Sequence, residues 1–396
     1  MTKQIITSRL DMDLYKLNMM YVFFCKHSDA VGRMKFQNRS SEIPIAHLCD
    51  QVNEQLDMLC KLEYTQDELD WIDSNKLWNN AFKGFLKSMV LDRNAIKCVV
   101  DGDQLSIESY GPQTEITLYE LYVLPIVQEL YCSTTYPDMD LSVGKDRLSK
   151  KIQSIKEFTL NNQFHFADFG TRRRFSAEWQ DYVVGRLSNE LPRDVFVGTS
   201  NVALAIKYGI KAIGTMAHEY LQFGQAIVHP HDSQLYMLKL WNECYRGELG
   251  IALSDVVGFD AFLVDFKKDL ANLFDGCRHD SGDPFTWCNK LIEHYSKLGI
   301  RSIDKTAVFS DGLDLPLAFK LTQTFRGRIR TSFGIGTNLT NDMGIDGLKI
   351  VMKLVELNGR PVAKVSDSPG KGMCEDPIFE QFLKEGYGLI SKETVA

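Results

Sequence analysis

The chain has few long apolar runs. Its longest, such as residues 19–24 and 122–127, fall far short of the roughly 18 residues that a membrane-spanning helix needs. The first residues are polar and lead into charged sequence, without the apolar stretch and small-residue cleavage site of a signal peptide. We therefore expect a cytoplasmic protein with no membrane segment.

Closely spaced cysteine pairs are also missing. The nine cysteines are scattered along the chain and odd in number, so no Cys-x-x-Cys zinc or redox motif can form. Disulfide frameworks belong mainly to oxidising compartments. Buried free thiols are the expected state of these side chains.

An excess of positive charge is absent as well. The chain carries 45 lysines and arginines against 52 acidic residues, a net charge of -7. A molecule of this charge repels polyanions as a whole. We therefore expect no nucleic-acid partner.

The chain is long enough for two domains, yet it has no Gly/Ser or Pro-rich linker and no internal repeat. At 396 residues it exceeds the roughly 250–300 residues at which a single hydrophobic core stops growing. Domain boundaries must therefore come from changes of pattern. Apolar residues spaced by three and four predict helices over 50–62 and 66–89. Two β-rich runs, 98–100 and 105–107, flank a turn and predict a hairpin.

Beyond about residue 131, strand-like runs alternate with helical stretches, which is the rhythm of a (β/α) barrel. Polar residues follow directly after several runs, at the edge where such barrels hold their active sites. The eight candidate strands are 164–169, 195–198, 210–214, 251–254, 261–266, 273–277, 306–310 and 330–334.

The last part of the chain changes character again. Residues 350–357 and 361–365 flank Asn358 and Gly359, which predicts another hairpin that could rejoin the N-terminal region. The expected architecture is an N-terminal α/β domain (1–130), a (β/α) barrel (131–348) and a C-terminal segment (349–396) that returns to the first domain.

Several loops after candidate strands carry groups suited to anionic ligands. Residues 172–174 are three arginines, whose guanidinium forks suit phosphate or carboxylate. Residues 277–284 combine a cation, carboxylates, a hydroxyl and a glycine, and Asp311 could bind ribose hydroxyls or hydrated Mg²⁺. Residues 333–339 offer small residues that expose backbone N–H groups to an anion.

Other familiar sites are excluded by single residues. Leu339 stands where a dinucleotide fingerprint needs its third glycine, and no Gly-x-x-x-x-Gly-Lys-Ser/Thr is present. His218 and Glu219 begin like a zinc-protease helix, but Gln222 replaces the second histidine. His229 and His231 have no third ligand nearby in the sequence and are interpreted as part of a loop.

Taken together, these segments resemble the nicotinate phosphoribosyltransferases, of the type II phosphoribosyltransferase group. The resemblance covers most of the chain. It rests on residues 11–17, 169–173, 198–201, 215–219, 278–284, 311–312 and 333–337.

The resemblance implies an α/β fold, an irregular (β/α) barrel joined to an N-terminal α/β domain. It also implies transfer of the phosphoribosyl group of phosphoribosyl pyrophosphate to nicotinate, giving nicotinate mononucleotide and pyrophosphate in NAD biosynthesis. The resemblance further implies that ATP hydrolysis drives the reaction through phosphorylation of a histidine that matches His218. Mg²⁺ accompanies the substrates, and a homodimer is possible in the family.

The resemblance also implies roles for individual residues. Tyr15 and Phe169 would lie on either face of the pyridine ring, with Tyr15 supplied by the same or a second subunit. Arg278 would hold the nicotinate carboxylate and Arg172 would lie near the phosphates. Asp280 and Asp311 would contact ribose hydroxyls or Mg²⁺-bound pyrophosphate. The remaining substrate-binding positions are Thr199, Ser200, Ser281, Gly282, Gly312, Gly336 and Thr337.

Ser200 separates two closely related substrates. Nicotinamide-using relatives have an aspartate there, whereas a serine hydroxyl can donate to the carboxylate of nicotinate. This favours nicotinate over nicotinamide, and the segment around His218 argues against quinolinate. A non-catalytic protein that binds phosphorylated sugars is the alternative of a different class.

Overall fold

A computed structural model of the protein describes residues 3–368 and 372–389. Its strands are β1 (Val31–Asn38), β2 (Ile96–Asp101), β3 (Gln104–Pro112), β4 (Phe166–Asp168), β5 (Phe196–Thr199), β6 (Ile251–Leu253), β7 (Gly276–His279), β8 (Thr306–Phe309), β9 (Arg330–Ile335), β10 (Ile350–Leu357) and β11 (Arg360–Pro361).

The α-helices connect and cover these strands. They are α1 (Leu14–Lys26), α2 (Cys49–Leu59), α3 (Gln66–Ser74), α4 (Asn80–Ser88), α5 (Gln113–Ile116), α6 (Tyr119–Thr135), α7 (Leu141–Thr159), α8 (Ala177–Glu190), α9 (Val202–Tyr208), α10 (His218–Ile227), α11 (Ser233–Tyr245), α12 (Phe259–Asp265), α13 (Lys268–Leu273), α14 (Pro284–Lys297), α15 (Leu315–Phe325), α16 (Thr337–Thr340) and α17 (Pro377–Gly386).

The first sheet joins the two ends of the chain. Its strand order is β11-β10-β1-β3-β2, and β10 pairs antiparallel with β1 along its length. The predicted hairpin of β2 and β3 and the predicted return of the C-terminal segment are both present. The domain boundaries stay a prediction, and residues 369–371 and 390–396 of the C-terminal segment lie outside the described residues.

The second sheet is parallel, with the order β5-β4-β9-β8-β7-β6. Because β9 returns to pair with β4, the strands run in chain order around a ring that is open between β5 and β6. In that gap, a single bridge joins Thr199 to Ala212. The barrel is therefore irregular.

Two of the eight predicted barrel strands are wrong within the described residues. Residues 261–266 belong to helix α12 and its C-terminal cap, where Phe259, Phe262 and Phe266 stack at helical spacing. Residues 210–214 follow the left-handed Gly209 and form only the bridge to Thr199. A third run, 273–277, is shifted: α13 ends at Leu273 and β7 begins at Gly276.

The C-terminal hairpin is shorter than predicted. Asn358 and Gly359 both have positive φ, of 51° and 72°, which suits a two-residue turn with the twist of a hairpin. The second strand contains only Arg360 and Pro361 before it leaves the sheet. Pro361 lies on the edge strand of the sheet, where a residue without an N–H is tolerated, and Val362 still donates to the carbonyl of Val355 at 3.2 Å.

Several helices begin next to a residue whose side chain caps their first backbone N–H groups. Thr65 and Glu68 form a capping box at α3, and Asn79 caps α4. Asp283 caps α14 ahead of a proline at its first position. Asp314 accepts from Leu317 at the start of α15 and thus serves as a helix cap. Of the helices in the described residues, none combines the length and hydrophobicity that a membrane crossing requires.

A buried ion pair fastens the N-terminal segment to the barrel. Both guanidinium NH groups of Arg174 donate to the two carboxylate oxygens of Asp11, at 2.7 and 2.8 Å. Arg174 is 1% exposed. Asn201 also donates to Asp11, at 2.7 Å. These bonds hold the chain just before α1 against the loops that follow β4 and β5.

We predict that Asp11→Ala lowers the free energy of unfolding by about 3–5 kcal/mol, because it removes the carboxylate that is hydrogen-bonded to the buried Arg174 guanidinium and leaves only the weaker contact with Glu129, 3.6 Å from Nε. Urea denaturation followed by circular dichroism measures the change. Asp181→Ala is the matched control, since it breaks the more exposed pair with Lys207 and should cost less than about 1 kcal/mol. Equal losses in the two variants would contradict the prediction.

Candidate active site

A cavity of about 560 Å³ lies inside the barrel and at the carboxyl ends of its strands. Residues from all six barrel strands line it, and so do residues of β10 from the other sheet. This is the edge at which the sequence predicts the site.

The interior of the barrel is not closed by side chains. On β8, Thr306 and Val308 are partly exposed and line the cavity, whereas Ala307 and Phe309 are buried. Alternate residues of a strand point to opposite faces. The accessible face is therefore the inner one, whereas interiors of parallel barrels are usually filled.

The cavity wall carries more positive than negative charge, in contrast to the acidic chain as a whole. Five acidic side chains line it: Asp13, Glu120, Glu219, Asp280 and Asp311. Seven basic ones line it too: Arg39, Arg172, Arg173, Arg278, Lys349, Lys353 and Lys364. Such a wall attracts polyanionic ligands locally.

Two aromatic side chains predicted to hold a ring both line the cavity. Phe169 packs flat against Gly334, where an added Cβ would lie 2.3 Å from the ring, so only glycine fits there. Tyr15 is 6% exposed and reaches the cavity of its own chain, with the guanidinium of Arg172 5.6 Å from its ring centroid. Both rings therefore line the cavity of their own chain.

Arg172 is held by two buried carboxylates. Its Nε lies 3.4 Å from Asp13 and its NH1 lies 3.8 Å from Glu120. Asp13 in turn accepts a hydrogen bond of 2.7 Å from the hydroxyl of Ser200. The single proton of Ser200 is thus directed at Asp13, whereas the sequence analysis expects it to face a bound carboxylate.

His218 is the first residue of α10 and is buried at the cavity wall. Its Nε2 lies 2.7 Å from Asp255 and 3.6 Å from Asp280. Burial lowers the pKa of His218 to about 4, and the Asp255 carboxylate only partly opposes this effect. The imidazole is therefore neutral at pH 7, with its proton on Nε2 and a lone pair on Nδ1.

Asp255 is a site residue that the sequence analysis leaves without a role. Burial alone would raise the pKa of Asp255, but the interaction with His218, the charge of Lys364 and the hydroxyl of Ser281 hold it well below its usual value. Lys364 lies 3.5 Å away and Ser281 donates at 2.6 Å. A carboxylate at the end of a predicted strand, β6, is the signal that could have drawn attention to it.

The predicted groups at the ends of β7 and β8 meet in the cavity. Arg278 donates to the carbonyl of Met216 at 3.0 Å, while its Nε is buried without a partner among the described residues. Asp280 accepts from Ser310 at 2.8 Å. Burial opposes ionisation of Asp280, but Arg278 and His218 hold its pKa at about 2. Asp311 follows β8 and lines the same region.

Two glycines and a threonine at the ends of β8 and β9 also line the cavity. Gly336 and Thr337 line it where β9 gives way to the short helix α16. Gly312, also a lining residue, has a φ of 58°, a conformation that favours glycine. These positions agree with the ones named from the sequence.

Three predicted substrate-binding residues are not among those that line the cavity. Thr199 is fully buried and donates to Asp168 at 2.8 Å. Ser281 is engaged by Asp255, and the backbone N–H of Gly282 donates to Ser368 at 3.0 Å. Thr199 and Ser281 are thus buried next to the wall, whereas Gly282 is exposed.

The sequence analysis assigned no role in the site to the lysines of the C-terminal segment. Lys349, Val351 and Lys353 share one face of the strand region around β10 and line the cavity. Burial lowers the pKa of Lys353 to about 8, with Glu120, 3.7 Å away, partly compensating. The two-residue spacing of Lys349, Val351 and Lys353 indicates that they share one face of a strand. The sequence does not show which way that face points, because this depends on the pairing of β10 with β1.

The matches to known protein families cover both parts of this architecture. A model of the nicotinate phosphoribosyltransferase (NAPRTase) family matches residues 164–390. A model of the N-terminal domain of the same family matches residues 10–128. The chain belongs to the nicotinate phosphoribosyltransferase family.

Individual relatives extend over nearly the whole chain. A nicotinate phosphoribosyltransferase of Chromobacterium violaceum is 46% identical over 391 residues, which are 97% of each chain. The crystal structure of a nicotinate phosphoribosyltransferase from Vibrio cholerae superposes with a TM-score of 0.93 at 37% identity, covering 98% of this chain and 94% of that one. The enzyme of that name from Porphyromonas gingivalis gives 0.91 at 31% identity, covering 97% and 100%.

We predict that the imidazole of His218 stays neutral from pH 9 to pH 5.5, because burial holds its pKa at about 4. The ¹⁵N spectrum of histidine-labelled protein should show an Nε2-protonated ring that does not titrate in this range. His218→Gln identifies the signal by removing it. A titration midpoint above pH 6 at this ring would contradict the burial argument.

Proposed function

We propose that this member of the family transfers the phosphoribosyl group of 5-phosphoribosyl 1-pyrophosphate to nicotinate, forming nicotinate mononucleotide and pyrophosphate for NAD biosynthesis. The observation that carries the proposal is the basic, partly aromatic cavity that the family's sequence motifs line from both sheets. A flat anionic base and a polyanionic sugar phosphate are the ligands that this wall suits.

In the proposed reaction, the pyridine nitrogen forms a bond to C1 of the ribose. The bond from C1 to the pyrophosphate oxygen breaks, and its electron pair leaves with pyrophosphate. Positive charge develops on the sugar and negative charge on the leaving group. The protein therefore has to align two reactants and stabilise charge, with no proton transfer required.

Tyr15 and Phe169 are proposed to hold the ring, and Arg278 to bind its carboxylate. The buried Nε of Arg278, which has no partner among the described residues, supports this role because a buried guanidinium N–H without an acceptor is costly. Arg172 is proposed to lie near the pyrophosphate. Gly336 and Thr337 are proposed to bind the 5′-phosphate, with their backbone N–H groups donating hydrogen bonds to its oxygens.

The carboxylates of Asp280 and Asp311 fit a magnesium-bound substrate, because Mg²⁺ prefers oxygen ligands and is usually held by one or two carboxylates together with phosphates. Both side chains line the cavity. When bound, Mg²⁺ would neutralise charge on the phosphates. The role of the two carboxylates would be to orient the ribose and the pyrophosphate against the base.

We further propose that ATP phosphorylates His218. The lone pair on Nδ1 would attack the γ-phosphorus, the bond to ADP would break, and ADP would leave with the electron pair. Later attack by water would release phosphate and restore the neutral ring. Asp255 supports this role because its bond to Nε2 fixes the tautomer that leaves Nδ1 unprotonated.

The proposed location is the cytoplasm, a reducing compartment that suits nine free cysteines. Two alternatives, nicotinamide as the substrate and a non-catalytic binding protein, fit the residues of the cavity wall less well. Nicotinamide would leave Arg278 without a carboxylate. A non-catalytic binding protein would not need the neutral, buried His218.

The test is product formation from phosphoribosyl pyrophosphate and Mg²⁺ with nicotinate or nicotinamide, each with and without ATP. We expect nicotinate mononucleotide to form preferentially and ATP to increase its yield. His218→Asn should abolish the ATP effect and leave some ATP-independent transfer. Preference for nicotinamide would overturn the substrate assignment, an undiminished ATP effect in the variant would overturn the phosphohistidine, and no turnover with either base would favour the binding-protein alternative.

We predict that Arg278→Ala lowers kcat/KM for nicotinate about 10–100-fold, since a hydrogen bond to a charged group contributes about 1.5–3 kcal/mol. Steady-state kinetics at saturating phosphoribosyl pyrophosphate measure the loss. Arg326→Ala, an arginine at the end of α15 outside the cavity lining, is the control and should retain wild-type kinetics. Unchanged nicotinate kinetics in the Arg278 variant would contradict the predicted role.

A further inference from the structure

The C-terminal segment inserts one carboxylate between two loops of the barrel. Both oxygens of Asp367 accept the backbone N–H of Phe259 at the start of α12, at 3.1 and 2.9 Å. The backbone N–H of Asp367 donates to the hydroxyl of Ser281, in the loop after β7, at 3.2 Å. Asp367 is therefore attached to one loop by its side chain and to the other by its main chain.

Two glycines with positive φ flank this side chain. A Cβ added to Gly258, whose φ is 94°, would lie 3.0 Å from Asp367 Oδ1. A Cβ added to Gly282, whose φ is 80°, would lie 3.6 Å from the Cβ of Asp367. Ser366 has a φ of 66°, which residues other than glycine seldom adopt. Such a conformation persists where the surroundings hold it, so both sides of this contact are shaped to bring Asp367 between the loops.

From Ser281 the hydrogen bonds continue to His218. The hydroxyl of Ser281 donates to one oxygen of Asp255 at 2.6 Å, and the other oxygen lies 2.7 Å from His218 Nε2. A hydroxyl has a single proton, so Ser281 can accept from Asp367 and donate to Asp255 at the same time. One continuous series of hydrogen bonds therefore runs from Asp367 to the ring of His218.

The same segment holds a lysine over Asp255. The Nζ of Lys364 lies 3.5 Å from the oxygen of Asp255 that Ser281 also contacts. Directly before Lys364, the backbone of Ala363 forms two hydrogen bonds with the side-chain amide of Gln225 on α10, at 2.7 and 2.9 Å. Lys364 thus lies between two anchored positions, and the docking of the segment reaches Asp255 through a hydroxyl and through a cation.

We propose that Asp367 is a positioning residue for His218. Docked between the loops after β6 and β7, it orients Ser281 and Asp255, and these keep the proton of the ring on Nε2 and the lone pair on Nδ1. Asp367 acts through these hydrogen bonds and does not line the cavity itself. The inference rests on the proposed function, because a fixed lone pair matters for a ring that accepts a phosphoryl group.

The first test follows the ring proton in the protein without substrates. In ¹H–¹⁵N spectra of histidine-labelled wild type, the Nε2 proton of His218 should exchange slowly with solvent. We expect about tenfold faster exchange in Asp367→Ala, which corresponds to the contribution of roughly one hydrogen bond. Asp367→Asn keeps an oxygen that can accept from Phe259 and should restore slow exchange. Unchanged exchange in Asp367→Ala would overturn the inference.

Asp376→Ala is the matched control. Asp376 belongs to the same C-terminal segment and also accepts two hydrogen bonds from backbone N–H groups, at 2.9 and 3.0 Å, but it caps α17. This variant should leave the exchange of the ring proton at its wild-type rate. Equal acceleration in the Asp367 and Asp376 variants would mean that the segment only stabilises the fold, and would overturn the inference.

A double-mutant cycle tests the route through Ser281. Ser281→Ala should accelerate the exchange to a similar extent, and Asp367→Ala combined with Ser281→Ala should accelerate it no further, because both changes interrupt the same series of hydrogen bonds. Additive effects would overturn the route. If Asp367→Ala does not fold, Ser281→Ala carries the test, and wild-type exchange in that variant would overturn the inference.

A second measurement connects the ring to the proposed function. We expect Asp367→Ala to slow the labelling of His218 by γ-labelled ATP about tenfold, while transfer without ATP persists and Asp376→Ala changes neither. Undiminished labelling in Asp367→Ala would overturn the inference. A wild type that is not labelled at all would overturn the proposed phosphorylation, and the exchange of the ring proton would still decide whether Asp367 positions His218.

Discussion

The arrangement of the cavity depends on one buried ammonium group. Lys16 has no exposed surface and forms ion pairs with Glu120, at 2.7 Å, and with Glu219. Gln113 and Thr117 also donate to Glu219, at 2.5 and 2.6 Å. Three helices are thereby joined: α1, which carries Tyr15, α6, and α10, which begins at His218. A charge buried this deeply is tolerated only because its partners are held in place around it.

The same bonds explain how two domains produce one site. Glu120 contacts Lys16, Arg172 and Lys353, which come from α1, the loop after β4, and β10. The helix that carries Tyr15, the arginine loop and the C-terminal strand therefore meet around a single carboxylate. Removing any one of these cations would leave negative charge unbalanced at the centre of the structure, so the positions of the others depend on it.

Many of the strands and cavity residues could be predicted from local sequence. The wrong or missing predictions have physical causes. Most strands and loops that carry the predicted site residues were found because apolar runs end in polar residues at one edge of the sheet. Residues 261–266 were misread because a short aromatic run fits a buried strand as well as a helix, and only packing decides. Asp13 lay within a recognised segment, but its contact with Ser200 joins positions 187 residues apart. Lys353 depends on strand pairing, which no local pattern specifies.

The surroundings of His218 show why a phosphorylated state would need the cations near it. Asp255 and Asp280 are both held ionised next to a neutral imidazole, so the ring already lies in a negative field. A phosphoryl group would add about two further negative charges. Lys364 contacts Asp255 at 3.5 Å, and Arg278, which lowers the pKa of Asp280, donates to the carbonyl of Met216 just before α10. These two cations come from the C-terminal segment and from the barrel respectively. A phosphoryl group on His218 would therefore depend on cations from both parts of the protein, which is a physical reason for the proposed phosphorylation to require the contact between them.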